Sequence, residues 1–118
     1  MANELSLRAT LTFSKGGAQV SRSESVSVTV TGDAFTHEVQ SIGTTEESVA
    51  FGADLTTPGY VLLINLDATN YVEFGITTGV YTIKLKAGEI ALYRHNSTSF
   101  FAKANTAACL IEYIIIET

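Results

Sequence analysis

The side chains best suited to catalysis are few and widely separated. His37 and His95 are the only histidines, and neither lies in the HxH or HExxH spacing that places two imidazoles on one metal ion. The paired carboxylates Glu46 and Glu47 would point to opposite faces of a strand, so they favour a solvated charged turn over an acid and base pair. These residues therefore predict neither a metal site nor an enzyme.

The other reactive groups lack the neighbours that chemistry would need. Cys109 is the only cysteine, which excludes an internal disulfide, and its alanine and aliphatic neighbours offer no base or cation to activate the thiol. No serine lies in a GxSxG motif, and the glycines fall singly or in pairs, as turns require and phosphate-binding loops do not. We predict no catalytic residue and no cofactor.

Composition indicates a packed globular protein. A chain of 118 residues is expected to form a single domain over residues 1–118, and 46% hydrophobic with 16% charged residues is typical of such a domain. The net charge of -5 disfavours nucleic acid, whose phosphates bind clustered Lys and Arg. No apolar run reaches the length of a membrane span and the start lacks a signal-peptide pattern, so we expect no membrane association and no N-terminal export signal.

Strict alternation of apolar and polar residues predicts a hairpin at the start of the chain. In LSLRATLTFS, from Leu5 to Ser14, every second residue is apolar, which a strand satisfies and a helix cannot. Gly16-Gly17 offers the positive φ values of a tight turn, and SESVSVTVTG alternates again. The first two strands are therefore predicted to pair.

The rest of the chain reads as short strands between turn residues. We predict strands in FTHEVQSIG, TTEESVAFG, YVLLINL, NYVEFGI, VYTIKLKAG, EIALYRHN, SFFAKA and ACLIEYIIIE. Thr56-Thr57-Pro58-Gly59 predicts a turn, and the apolar YVLLINL predicts a central strand covered on both sides. About eight to ten strands without helical periodicity predict an all-β antiparallel β-sandwich of jelly-roll type.

The last strand raises the question of what covers it. Both of its faces are apolar, because Leu110, Ile114 and Ile116 alternate with Ile111, Tyr113 and Ile115, and Glu112 interrupts one face only. Such a strand fits either the centre of the sandwich or a subunit interface, and the sequence leaves both open. For the second case we predict Leu110, Ile114 and Ile116 as interface residues.

A longer pattern runs through the second half of the chain. GVYTIKLKAGEIALYR, from Gly79 to Arg94, reads as a strand pair joined by Lys86-Ala87-Gly88-Glu89 and followed by an aromatic residue and Arg. NLDATNYVEFG precedes it, and AKANTAACLIEYIIIE supplies a closing strand after Ala-Asn-Thr. With these segments, residues 59–117 resemble small virion proteins of tailed bacteriophages, while the N-terminal hairpin matches in strand character alone.

This resemblance implies a mechanical function in the virion, in a particle assembled in the host cytoplasm. It favours a capsid decoration or cement subunit that binds the major capsid protein as a homo-oligomer, with a trimer preferred. A tail, neck or fibre component is the alternative within the virion. A second alternative, drawn from the residues and not from the resemblance, is a carbohydrate or host-receptor binding module, since such modules are commonly β-sandwiches with exposed aromatic residues. Packing is the commoner fate of tyrosines in or beside strands, as Tyr60, Tyr71, Tyr81 and Tyr93 are, and the alternative predicts that an exposed one, Tyr71 or Tyr93, contributes to ligand affinity.

Overall fold

The computed structural model describes residues 3–118 and divides the chain into two compact units, residues 1–32 and residues 33–118. The described residues form ten strands, and every strand pairing is antiparallel, so the prediction of an all-β antiparallel fold is confirmed. Residues 3–118 contain no helix that is long and apolar enough to cross a membrane. That residues 1–118 form one domain stays a prediction.

The first unit is the predicted hairpin. Strands β1 (Leu5–Lys15) and β2 (Ala18–Val28) pair along their whole length, from Leu5 opposite Val28 to Lys15 opposite Ala18. Gly16 and Gly17 form the two-residue turn with φ values of 57° and 87°. Two positive φ values in succession are the mark of the hairpin turn whose twist matches that of the strands, and glycine adopts them without strain.

The second unit is a β-sandwich of two four-stranded sheets. Its strands are β3 (Phe35–Ile42), β4 (Glu47–Ser48), β5 (Pro58–Asn65), β6 (Val72–Gly75), β7 (Ile83–Leu85), β8 (Ile90–Arg94), β9 (Phe101–Ala104) and β10 (Cys109–Glu117). The front sheet has the order β3-β10-β5-β8 and the back sheet the order β4-β9-β6-β7. The pairings are nested along the chain, because β3 pairs with β10, β4 with β9, β5 with β8 and β6 with β7.

The core lies between the inner faces of the two sheets. Its buried side chains alternate along the strands with exposed or half-buried ones, as period-two patterning requires. One polar residue in it, Asn65, is fully satisfied: its Nδ2 donates to the carbonyl oxygens of Asn70 and Leu85 at 2.9 and 3.0 Å, and its Oδ1 accepts from the Asp67 amide at 2.9 Å. The core is made of Ile42, Val49, Leu55, Val61, Leu63, Val72, Phe74, Leu85, Phe100, Ala102, Ala104, Cys109, Ile111, Tyr113 and Ile115.

The turn predicted at residues 56–59 is wrong. Pro58 and Gly59 are the first two residues of β5, and Gly59 does not have a positive φ. A Cβ atom at Gly59 would lie 2.9 Å from the Ile116 carbonyl oxygen, closer than real Cβ atoms come to backbone. Glycine is needed there because the end of β10 passes close to the start of β5, and proline is tolerated as the first residue of a strand.

Two further predictions about strands need correction. The strand pair expected across the turn at residues 86–89 does not form, because β7 pairs with β6 in the back sheet and β8 pairs with β5 in the front sheet. That turn, closed by a 3.0 Å hydrogen bond from the Glu89 amide to the Lys86 carbonyl, carries the chain from one sheet to the other. The strand predicted in TTEESVAFG is reduced to the two residues of β4.

Candidate interaction surface

The last strand lies inside the front sheet and has two different faces. β10 is flanked by β3 on one side and β5 on the other. Ile111, Tyr113 and Ile115 point inward and are completely or almost completely buried. Leu110, Ile114 and Ile116, the predicted interface residues, point outward, Leu110 exposed and the two isoleucines half-buried. The choice between core and surface is therefore resolved residue by residue, whereas an interface role for the outer three stays a prediction.

Ile114 and Ile116, together with Glu112, belong to a larger apolar surface, which we call the front face; Leu110 lies beyond its last row, opposite Ser41. Residues directly opposite each other on neighbouring strands share a face of the sheet, so the strand register defines it as three rows. Its four central aliphatic residues are half-buried and lie on the two inner strands, Leu62 and Ile64 on β5 and Ile114 and Ile116 on β10. Phe35 and Ile90 at the margins are 67% and 65% exposed. Taken from β3, β10, β5 and β8 in turn, the rows are Val39, Glu112, Ile64 and Ile90; His37, Ile114, Leu62 and Leu92; and Phe35, Ile116, Tyr60 and Arg94.

The polar groups of the front face are paired with one another. Glu112 leans toward the edge strand, where its Oε2 lies 2.7 Å from the Nε2 of His37. At the opposite corner the Arg94 guanidinium lies over the Tyr60 ring, 4.5 Å from its centroid, and donates to the Thr118 hydroxyl at 2.9 Å. The middle of the front face is thereby left to aliphatic side chains, with polar groups toward its sides.

The outer face of the back sheet, which we call the back face, has the opposite character. Its central row consists of Lys103 on β9, Glu73 on β6 and Lys84 on β7, so unlike charges stand directly opposite each other. The Lys84 ammonium also lies over the Tyr71 ring, 4.0 Å from its centroid. One outward aromatic residue, Phe101, lies in the neighbouring row opposite Ser48. The back face thus resembles an ordinary solvated protein surface.

The front face covers about half of the roughly 800 Å² that each partner buries in an interface of standard size, so residues at its edges would have to supply the rest of a stable contact. Four strands about 4.8 Å apart and three rows about 7 Å apart span on the order of 400 Å². Eight of its twelve residues are apolar, which makes a largely contiguous apolar patch of roughly 270 Å², and apolar patches of about this size are often functional. Because a sandwich needs only its inner faces to be apolar, folding of the monomer does not account for the residues of the front face.

The two histidines occupy unrelated environments. His37 lies on the front face, whereas His95 is buried, with its Nε2 2.9 Å from the Ser99 carbonyl oxygen and its Nδ1 3.2 Å from the Tyr93 hydroxyl. Burial raises the pKa of Tyr93, so its hydroxyl keeps its proton. Within residues 3–118, no three or more His, Cys, Asp or Glu side chains are grouped closely enough to hold a metal ion.

Cys109 has the surroundings of a structural residue. Its side chain is buried at the start of β10 and its Sγ lies 3.5 Å from the Ala107 carbonyl oxygen. Burial raises the pKa of the thiol, which disfavours the reactive thiolate. The thiol therefore contributes packing to the core.

The tyrosines considered for sugar binding are already engaged within the sandwich. Cations cover the rings of Tyr60 and Tyr71, and the Tyr93 hydroxyl contacts His95. The Tyr81 hydroxyl donates to Glu46 at 2.6 Å, and this hydrogen bond raises the pKa of Tyr81 to about 12. The same carboxylate accepts a hydrogen bond from the Gly79 amide at 2.8 Å, so Glu46 links the segment before β4 to the segment between β6 and β7.

Sequence reasoning found the part of the front face that lies on β10 and missed the rest. On β3, Phe35 and Val39 alternate with polar residues, among them the exposed Glu38. On β8, Ile90 and Leu92 alternate with the half-buried Ala91 and Tyr93. Alternation therefore does not show by itself that the apolar residues of these two strands point outward. The register alone shows that these residues join Ile114 on one surface.

No protein-family model, curated protein or solved structure matches this chain.

Proposed function

We propose that this chain is a structural subunit of a bacteriophage virion, a capsid decoration or cement protein, and that copies of it assemble through the front face. The contrast between the two outer faces of the sandwich carries this proposal. Protein–protein interfaces commonly have an apolar centre and a polar rim, as the front face has. Exposing such an apolar centre to water is unfavourable, so a partner is expected to cover it. The back face carries a charged row and needs no such cover.

The order of the strands supports a virion role. Nested pairing of eight strands is what results when one long hairpin is folded at the β6-β7 connection and rolled into two sheets. We infer from this order that the sandwich is a jelly roll, an architecture that recurs in viral capsid and lectin domains.

The occupant of the front face is inferred to be a second copy of this chain, in a closed trimer. A three-fold axis brings one front face from each copy toward a common centre, which removes the apolar rows from water without leaving an open end. Ile114 lies in the middle row between His37 and Leu62, where desolvation would be most complete. The decorated shell would gain stability from many such units acting together.

Binding to phage heads tests the virion role. Full-length protein is mixed with DNA-filled heads, stripped of outer proteins, of the phage that encodes it, and the bound fraction is measured by cosedimentation. We expect saturable binding and heads that withstand higher temperature when the protein is bound. An absence of binding over the whole micromolar range, by a protein with a native circular-dichroism spectrum, would contradict a decoration role.

A further inference from the structure

The hairpin carries a second apolar surface that the proposed function does not use. On one face of β1 and β2, which we call the hairpin face, apolar residues stand directly opposite each other near both ends. Leu11 is 62% exposed and Val20 is 55% exposed. The opposite face is polar, with the Thr10 and Ser23 hydroxyl oxygens 3.0 Å apart at its centre. The apolar cross-strand pairs are Leu5 with Val28, Leu7 with Val26, and Phe13 with Val20.

A charged pair interrupts the hairpin face near its middle. Arg22 and Glu24 lie two residues apart on β2, on the same side of the strand as Val20 and Val26, with Nη2 and Oε1 2.5 Å apart. Across the hairpin they face Leu11 and Ala9. A two-stranded hairpin is marginally stable by itself in water, so a hairpin with such a face gains stability from a partner surface.

We propose that the hairpin face packs against the hairpin face of a second copy of this chain, with the two hairpins antiparallel. A two-fold axis at the row of Thr10 and Ser23 generates this arrangement. It places Phe13 of one copy over Leu7 of the other and Val20 over Val26. The bulky Leu11 then meets the small Ala9, so large and small side chains alternate across the contact.

Charge complementarity selects the antiparallel arrangement. The two-fold axis lies midway between Arg22 and Glu24, so it sets each Arg22 against the other copy's Glu24 and forms two ion pairs. Stacking with the hairpins parallel would need a two-fold axis along the strands, which lays β1 of one copy on β2 of the other. Arg22 would then face Leu11 and Glu24 would face Ala9, so neither charge would gain a partner in the other copy. A face that complements itself in shape and in charge identifies a second copy as its occupant, with isologous symmetry.

The size of the hairpin face sets the strength of this contact. Eleven residues at about 3.4 Å each and two strands about 4.8 Å apart give a face of roughly 360 Å². A stable interface of standard size buries about 800 Å² on each partner. Pairing of hairpins is therefore weak between free subunits and becomes effective when several copies are already held together, as in a trimer or on a shell.

Complementary charge reversal tests the proposal in the full-length chain. Arg22→Glu and Glu24→Arg are prepared separately, one with an isotopic label, and mixed. Each variant opposes like charges in its own pairs, whereas a mixed pair restores both ion pairs. Native mass spectrometry should show mixed assemblies on the order of tenfold more abundant than in a mixture of labelled and unlabelled Arg22→Glu, which corrects for exchange through other surfaces.

Arg8→Glu is the matched control, because it makes the same change of charge on the polar face of the same hairpin, opposite Ser25. The Arg8→Glu variant should associate as strongly as the wild-type chain. The proposal is overturned if the two reversal variants mix no better than the like-charged pair. An equal loss of association in Arg8→Glu and Arg22→Glu would also overturn it, because net charge would then explain the effect.

Discussion

The front and back faces of the sandwich are built on the same plan and carry different chemistry. Each covers a four-stranded antiparallel sheet whose inner side supplies the core. The back face has Lys103, Glu73 and Lys84 in one row, whereas the equivalent middle row of the front face has Ile114, Leu62 and Leu92 beside His37. The comparison shows that the apolar character of the front face is additional to what folding requires.

Within β10, adjacent residues differ in the same way, because one points into the core and the next points outward. Ile115 is completely buried opposite Val61, while Ile114 next to it points outward opposite Leu62. The odd-numbered residues from Cys109 to Ile115 therefore pack in the core, and the even-numbered residues from Glu112 to Ile116 lie on the front face. Variants at Ile115 and Ile114 separate stability from assembly.

Ile115→Lys should have the largest effect, because it places an unpaired charge in the core. Burying an ammonium group without a partner costs several kcal/mol, a large part of the roughly 5–15 kcal/mol that stabilises a typical domain. We expect this variant to lose its cooperative unfolding transition in urea, followed by circular dichroism. A transition at the wild-type midpoint would contradict the assignment of odd positions to the core.

Ile114→Lys should abolish assembly and leave the sandwich folded. The new ammonium group can reach water in the monomer, so the expected loss in unfolding free energy is about 1 kcal/mol or less. In the proposed trimer the same group would be desolvated without a partner, so association should weaken by at least about a hundredfold. Sedimentation velocity measures the assembly, and urea unfolding measures the stability.

Phe101→Lys is the matched control for this variant. It also replaces an outward apolar residue by lysine on a central strand, but on the back face. We expect this variant to assemble like the wild type. If it disrupted assembly as strongly as Ile114→Lys, the back face would be part of the interface and the contrast between the two faces would lose its functional meaning.

Glu73→Lys should have a small effect confined to stability. It converts the central row of the back face into three cations, and like charges directly opposite each other on a sheet destabilise by about 0.5 kcal/mol. Raising the salt concentration should reduce this loss, because the side chains can reach solvent. An unchanged oligomer in sedimentation would support the assignment of the back face to solvent.

Acid should cause the smallest change, a gradual loss of stability as carboxylates protonate. The pKa of Glu117 is lowered by hydrogen bonds from the Thr56 amide and hydroxyl, each 3.0 Å long, and the pKa of Glu46 is lowered first by the Tyr81 hydroxyl. A carboxyl whose pKa is lower in the folded state stabilises fully above its unfolded value, near 4.5, and loses that contribution as pH falls through the folded value.

Urea midpoints of the wild type and Glu117→Gln, measured from neutral pH downward, check this dependence. The variant should be less stable at neutral pH, and its midpoint should fall less than that of the wild type in acid. Parallel pH curves for the two proteins would contradict a role for the Thr56 hydrogen bonds to Glu117.

Much of the fold could be predicted from the sequence because its strands follow local rules. The alternation from Leu5 to Ser14, the glycine pair after it and the short strands of the second half all depend on residues close together in the chain. The errors arose where distant segments decide. Gly59 is required by the carbonyl of Ile116, and β7 and β8 are separated into different sheets by partners that neighbour neither of them in sequence.

The candidate surface was predictable in part for the same reason. Leu110, Ile114 and Ile116 stood out because β10 is apolar on both faces, a property of ten consecutive residues. Leu62 also lies in a strand that is apolar on both faces, but its sequence, YVLLINL, predicted a central strand covered on both sides. Its half-buried position opposite Ile114 depends on the register of β5 and β10, which local patterns do not specify.

The native mass of the wild-type protein at micromolar concentration tests the central claim most directly. Native mass spectrometry, checked by sedimentation equilibrium, should show a discrete closed oligomer, with three copies expected. A monomer at every micromolar concentration, with Ile114→Lys indistinguishable from the wild type in mass and in binding to phage heads, would contradict assembly through the front face.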